Sequence, residues 1–240
     1  MQLLISVRNQ TEANVARRHG IRRIDLKEPA AGSLGAASSA VWEEVLQKAD
    51  HTLDVSLALG ELSNFPSARQ VPPGISAVKV GLSGCHHLRD WPERLAAVYA
   101  PLPAEVARVA VYYADRTTAE CPELSAVLDA AQAVGCRILL IDTFNKSCGS
   151  IVDLAEKQQV IQWRHQVHQA GLQLALGGSL RREHLAWVAR VGPDIVAVRG
   201  AVCGTDRRGT LCPKRLADWI TQWNQLPEVT PIEPGAVGVS

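Results

Sequence analysis

At 240 residues, 47% of them hydrophobic, the chain can bury one sizeable core, either as a single α/β barrel or as two modest domains. A formal net charge of +1 and a pI near 7.7 provide no broad basic face, so nucleic acid is not the expected partner, while small anions can still bind at local sites. No run approaches the roughly 20 apolar residues that cross a bilayer. The segment Met1-Gln2-Leu3-Leu4-Ile5-Ser6-Val7-Arg8 enters a strand-like run without signal-peptide anatomy, so no membrane association and a cytoplasmic location are expected.

The six cysteines, Cys85, Cys121, Cys136, Cys148, Cys203 and Cys212, form no Cys-x-x-Cys pair and are expected to be free thiols. The adjacent His86 and His87 read as surface residues, and no metal site is expected.

Eight short apolar runs recur: Leu3 to Val7, Arg23 to Lys27, Thr52 to Leu59, Ala77 to Leu82, Arg108 to Asp115, Arg137 to Thr143, Gln173 to Ser179, and Asp194 to Gly200. Each is suited to a strand buried on both faces. Helical patterns lie between most of them: Thr11 to His19, Ser39 to Ala49, Leu88 to Ala100, Pro122 to Val134, Val152 to Ala170, Arg181 to Val191 and, after the last strand, Pro213 to Leu226. The third connection, Glu61 to Gly74, carries Pro66, Pro72 and Pro73 and leaves room only for a short helical turn. Strand–helix alternation predicts a parallel sheet, and eight units in this length match a closed (β/α)8 TIM barrel. The first turn, Ser6 to Gln10, lacks the glycines of a dinucleotide-binding open sheet. The expected organisation is one barrel domain over 1–226 with a short flexible C-terminal tail over 227–240, which holds three prolines and no amphipathic period.

Barrel chemistry is carried out at the carboxyl ends of the strands. Strand two ends Asp25-Leu26-Lys27, and period-two alternation sets the acid and the amine on one face. Lys79 lies in strand four, Asp115 ends strand five, and Asp142 ends strand six with Lys146 just beyond. Taken singly, each has a structural reading: a solvated edge, an internal ion pair, a cap or a snorkelling stem. Together, at one end of consecutive buried strands, they share a cavity and point to an active site. Gly177-Gly178-Ser179 after strand seven can offer backbone amides to a phosphate, and Arg199-Gly200 after strand eight can add a planar cation. Lysines crowded into one cavity disfavour the ammonium form, so Lys27, Lys79 or Lys146 can become a neutral nucleophile that forms a Schiff base, with Asp25 and Asp142 moving protons.

The segments Leu3 to Val7, Ile24-Asp25-Leu26-Lys27-Glu28-Pro29 with Gly32-Ser33-Leu34-Gly35-Ala36, Val78 to Leu82, Tyr113-Ala114-Asp115, Ile141-Asp142-Thr143, Lys146 and Asp194 to Ala201 carry a resemblance to the (5-formylfuran-3-yl)methyl phosphate synthase family. The resemblance runs in order from residue 3 to about residue 220; the run Val111 to Cys121 departs from the family's pattern, and the tail after Leu226 is extra to it. It implies a Schiff-base lyase that condenses two molecules of glyceraldehyde 3-phosphate, a triose phosphate, into a furan aldehyde phosphate for methanofuran-type one-carbon carriers. It also implies Lys27 as the imine-forming residue, Asp25, Lys79, Asp142 and Lys146 as its functional neighbours, and no cofactor. Homo-oligomer formation is left open.

Three other readings stand beside it. A phosphosugar decarboxylase would use Asp-x-Lys-x-x-Asp, but Ala30 occupies the third position. A Schiff-base aldolase for another sugar phosphate, or a non-catalytic barrel that binds a phosphate ligand, would share most of the same residues.

Overall fold

The computed structural model describes residues 1–64 and 70–226; the tail expected over 227–240 lies outside the described residues. Eight parallel strands run in sequence order: β1 (Gln2–Val7), β2 (Arg23–Leu26), β3 (Asp54–Glu61), β4 (Ala77–Gly81), β5 (Ala107–Tyr113), β6 (Ile138–Asp142), β7 (Gln173–Leu176) and β8 (Ile195–Val198). They form a closed barrel, with β8 pairing back onto β1. The expected TIM-barrel architecture is therefore the one observed.

Alternation along each strand separates two buried layers. Ser56, Ala77, Lys79, Val109, Leu140 and Ala175 face a small space inside the barrel, whereas Val55, Leu57, Val78, Val80, Leu139 and Ile141 are fully buried and, by period two, face the helices. Both faces of every strand are thus covered, which is why the sequence runs are apolar almost without interruption.

The helices follow the expected order with local differences. Helix α1 (Gln10–Arg18) starts where the Asn9 side chain accepts a hydrogen bond from the Glu12 amide. α2 (Ser39–Lys48) follows β2, and α3 (Trp91–Tyr99) begins three residues later than expected because Pro92 sits in its first turn. An extra single turn, α4 (Arg116–Ala119), precedes α5 (Leu124–Ala133). The long pattern from Val152 to Ala170 divides into α6 (Ile151–Leu154) and α7 (Lys157–Gln169). Ser150 and Asp153 close a reciprocal capping box on the first piece, and Ala155 is extended between the two. α8 (Leu185–Val191) and α9 (Pro213–Asn224) complete the outer ring.

Between β3 and β4 the described residues contain only a 3-10 turn, Leu62–Asn64, in keeping with the proline-rich connection. No helix of the described residues is long and apolar enough to cross a membrane. The cysteines are free thiols, mostly buried, and His86 and His87 are exposed.

Leu57→Ala removes a fully buried side chain between the barrel wall and its helices. The expected loss is about 2–5 kcal/mol of unfolding free energy, measured by denaturant titration with an unchanged m-value.

Candidate active site

The carboxyl ends of the strands open into a cavity of about 580 Å³, lined by Asp25, Lys27, Lys79, Asp142 and Lys146 together with 177–181 and 197–201. Of the strand-end residues expected from sequence to share a cavity, all but Asp115 therefore border one space. That space is organised by two ion pairs on opposite strands.

The first joins β2 to β4. Lys79 Nζ lies 2.6 Å from Asp25 Oδ1, and Asp25 also accepts hydrogen bonds from Ser56 Oγ at 2.9 Å and Ser6 Oγ at 3.4 Å. β1, β2, β3 and β4 thus converge on one carboxylate that is only 1% exposed. The second pair closes within the β6 loop. Lys146 Nζ lies 2.7 Å from Asp142 Oδ1 and also donates to the Thr143 carbonyl, while the Thr143 amide donates to Asp142 at 2.8 Å. Burial alone would raise the Asp142 pKa, but the Lys146 and Lys27 cations outweigh it and hold the carboxyl at about 2.

Lys27 projects from the residue after β2 into the same cavity and is 8% exposed. Among the described residues it has no ion-pair partner, unlike Lys79 and Lys146. Burial pulls its pKa down from 10.5 to about 8; Asp142 and Asp25 pull upward, and the neighbouring Lys146 and Lys79 add to the depression. The lowering enlarges the neutral fraction, which is the form that attacks a carbonyl.

The segment after β7 is built for close approach. Gly178 has φ +91° and Ser179 φ +54°, both left-handed. A Cβ on Gly178 would stand 2.9 Å from the Ile151 Cβ, and one on Gly177 would stand 3.3 Å from Asp142 Oδ1. The Gly177 amide is used by the Ile141 carbonyl, whereas among the described residues the Gly178 and Ser179 amides have no protein acceptor and border the cavity. They form a backbone site suited to an anion.

Arg199 borders the cavity but is not the free cation expected from its position. Its five N–H donors go to Glu12 (through both terminal nitrogens), the Ser6 carbonyl, the Arg207 carbonyl and the Gly209 carbonyl. The guanidinium is consumed inside the protein, so Arg199 shapes the loop after β8 and Gly200 lines the cavity beside it. That loop places Arg207 at the mouth instead. Arg207 Nη2 reaches the Gly32 carbonyl at 2.7 Å and so bridges the β8 loop to the β2 loop. Two adjacent arginines in the turn Asp206-Arg207-Arg208-Gly209 were a signal the strand-end reading passed over.

A second omission is Glu61, the last residue of β3. Its Oε1 accepts a 2.6 Å hydrogen bond from the Tyr113 hydroxyl on β5, and its Oε2 accepts one from the Ser83 amide at 3.0 Å. Asp115 serves a structural purpose, accepting from the Phe144 and Asn145 amides and thereby fixing the loop that carries Lys146. Among the described residues no group of three or more His, Cys, Asp or Glu could hold a metal ion.

Below pH 8 the folded protein must keep a buried Lys27 ammonium whose cost the unfolded chain does not bear. The penalty fades as pH rises from about 8 toward 10.5, because there the unfolded state binds the extra proton. Lys27→Met is therefore expected to stabilise the fold at pH 7 by on the order of 1–3 kcal/mol, and to lose that advantage above pH 10, as read by thermal melts across pH.

The family model of 4-HFC-P synthase matches residues 3–220. The chain is 32% identical over 221 residues to (5-formylfuran-3-yl)methyl phosphate synthase of Methanopyrus kandleri, covering 88% of this chain and 93% of that protein. It is also 32% identical over 217 residues to the enzyme of that name from Methanocaldococcus jannaschii, with 86% and 92% covered. Among solved structures, phosphoribosyl anthranilate isomerase from Thermotoga maritima superposes with a TM-score of 0.63 at 14% identity over 94% of this chain and all of that one. 3-Hexulose-6-phosphate synthase from Salmonella typhimurium gives 0.54 at 14% identity over 93% of this chain and all of that one, so both are likenesses of fold alone. The family model spans nearly all of the barrel, and the chain belongs to the (5-formylfuran-3-yl)methyl phosphate synthase family.

Proposed function

We propose that this protein condenses two molecules of glyceraldehyde 3-phosphate into (5-formylfuran-3-yl)methyl phosphate through an imine on Lys27, supplying the furan of methanofuran-type one-carbon carriers in the cytoplasm. The observation that carries this reading is the contrast among the three cavity lysines: Lys79 and Lys146 are each held by a carboxylate, while Lys27 is unpaired among the described residues and has a pKa near 8.

Neutral Lys27 Nζ attacks the aldehyde carbon of one triose phosphate, and loss of water from the carbinolamine leaves an iminium that withdraws electrons from the adjacent carbon. A carboxylate of one ion pair takes the proton from that carbon and an enamine forms. Asp142, paired with Lys146, and Asp25, paired with Lys79, are the candidates for this step, and the ammonium beside each supports the reading by offering a return proton. The enamine carbon then attacks the second aldehyde, whose developing alkoxide the lysine cations stabilise. Loss of one phosphate and two waters, counted over the two substrates, leaves the aromatic furan and frees Lys27.

The Gly178 and Ser179 amides hold a phosphate at the anchored end of one substrate. Arg207 stands across the mouth for the other anion, and burial lowers its own pKa while Asp142 opposes that fall.

Borohydride added during turnover is expected to fix a substrate-derived mass on the peptide containing Lys27, and Lys27→Met is expected to reduce furan formation by at least about 10³-fold. An adduct found only on Lys79 or Lys146 would reassign the nucleophile. Gly178→Ala, which must displace the Ile151 side chain and strain the backbone, is expected to raise KM for glyceraldehyde 3-phosphate by about tenfold with a smaller change in kcat, measured by initial rates of ultraviolet-absorbing product.

A further inference from the structure

Three local features turn one carboxylate onto the inward face of β4, and none of them is needed to build a barrel. Alternation along β3 turns Ser56 and Ala58 inward, so position 60 would follow them and residue 61 would face the helices. Instead the β3–β4 register slips between Ala58 and Glu61, so that Glu61 pairs with Gly81. Gly60 within that slip has φ +103°, a conformation that side-chain-bearing residues rarely adopt. A bulge of this kind re-aims a side chain at a functional site.

The redirected side chain then occupies space that belongs to another residue. A Cβ built on Gly81 would lie 2.0 Å from Glu61 Oε2. Gly81 is two residues after Lys79 on the same strand, so it shares the inward face of β4, and the Glu61 carboxyl group lies over that face at Gly81. From there it reaches Tyr113 on β5, whose register partner on β6 is Asp142. Tyr113 is fully buried and packs edge to face on Phe144, while Glu61 keeps partial access to solvent.

Its chemistry differs from that of the other two acids. Asp25 and Asp142 are each neutralised by a lysine, whereas among the described residues Glu61 has no ion-pair partner and is held only by a hydroxyl and an amide. Burial raises its pKa, and the Asp142 charge adds to the rise against the opposing hydrogen bonds and Lys146. Its proton is therefore held more tightly than that of Asp142. The Tyr113 hydroxyl and Ser83 amide then stabilise the carboxylate that remains once the proton has gone.

We infer that Glu61, supported by Tyr113, is a further catalytic residue: the acid that protonates a leaving hydroxyl during dehydration on the way to the furan. The inference rests on the imine reading above. In the step, taken after the aldol addition, a carboxylate of one ion pair removes the proton from a carbon beside the leaving hydroxyl, the C–H electron pair forms the new C=C bond, and the C–O bond breaks with its pair going to oxygen. The Glu61 proton joins that oxygen, and water departs. The proton taken from that carbon is given up to solvent, from which Glu61 is reprotonated, so each such step loses one water and leaves the protein unchanged.

The test uses the full-length protein, glyceraldehyde 3-phosphate and borohydride. Glu61→Gln, which keeps shape and hydrogen bonding, is expected to trap Lys27 as fully as the wild type while furan formation falls about 100-fold, with the trapped adduct heavier than the wild-type one by a water. Tyr113→Phe removes a donor to the carboxylate, and is expected to lower furan formation severalfold at neutral pH with the alkaline limb of its pH–rate profile moved to higher pH. Glu61→Gln that forms furan within about threefold of the wild type, or Tyr113→Phe with an unmoved limb, overturns the assignment of Glu61 alone. Failure of the wild type to trap any imine overturns the reading on which it rests, and the assignment with it.

Discussion

Charge neutrality inside a nearly dry barrel mouth is the constraint on which the site depends. Two lysines and two aspartates are taken out of water together, and each cation repays part of its partner's desolvation. The third lysine has no acid left to meet it. Its ammonium is destabilised by the same pairing that makes the others tolerable, so the reactivity of Lys27 comes from the bookkeeping of its neighbours rather than from any one contact. The serines of β1 and β3 matter for this reason: together with Lys79 they fix the position of the Asp25 charge.

A second buried pair, Arg199 with Glu12, does for the loops what the first two do for the chemistry. Glu12 accepts from Arg199 and from the Arg8 and Leu211 amides, while Arg199 gathers the carbonyls of residues 6, 207 and 209. The start of α1 and the loop after β8 thereby become one rigid unit. Ser33 in the β2 loop donates to the Thr143 carbonyl beside Lys146, and Arg207 takes the Gly32 carbonyl from the other side. The glycine-rich loop that follows Lys27 is consequently pinned across the mouth from both flanks.

Much of this was open to inspection in the residues themselves. Eight apolar runs with intervening helical patterns specify a barrel because only a closed parallel sheet buries both faces of so many strands. Asp25 and Lys27 declare themselves because charge at alternate positions of a buried strand demands a shared polar space. Arg199 shows the limit of that logic. Its strand-end position correctly turned it inward, but its partner lies 187 positions away, and no local pattern tells a cation offered to a ligand from one already claimed by Glu12. Glu61 was missed for a related reason: it sits just beyond the recognisable β3 run, at the head of a proline-rich connection, and its direction is set by a register slip that hydrophobic periodicity cannot reveal. The division of α6 from α7 was equally hidden, since no glycine or proline marks the extended Ala155.

The clearance at Gly81 reaches beyond the geometry of one contact. Because the Glu61 carboxyl group fills the volume where a side chain at position 81 would begin, the two positions cannot drift independently. A side chain at 81 in the presence of Glu61 meets a barrier that vanishes if residue 61 has first become small, and a shortened residue 61 leaves a void that position 81 could refill. Substitutions at the two sites should therefore be strongly epistatic, with the double replacement milder for folding than either single change would suggest, and the order in which an evolving lineage could acquire them is constrained to one path.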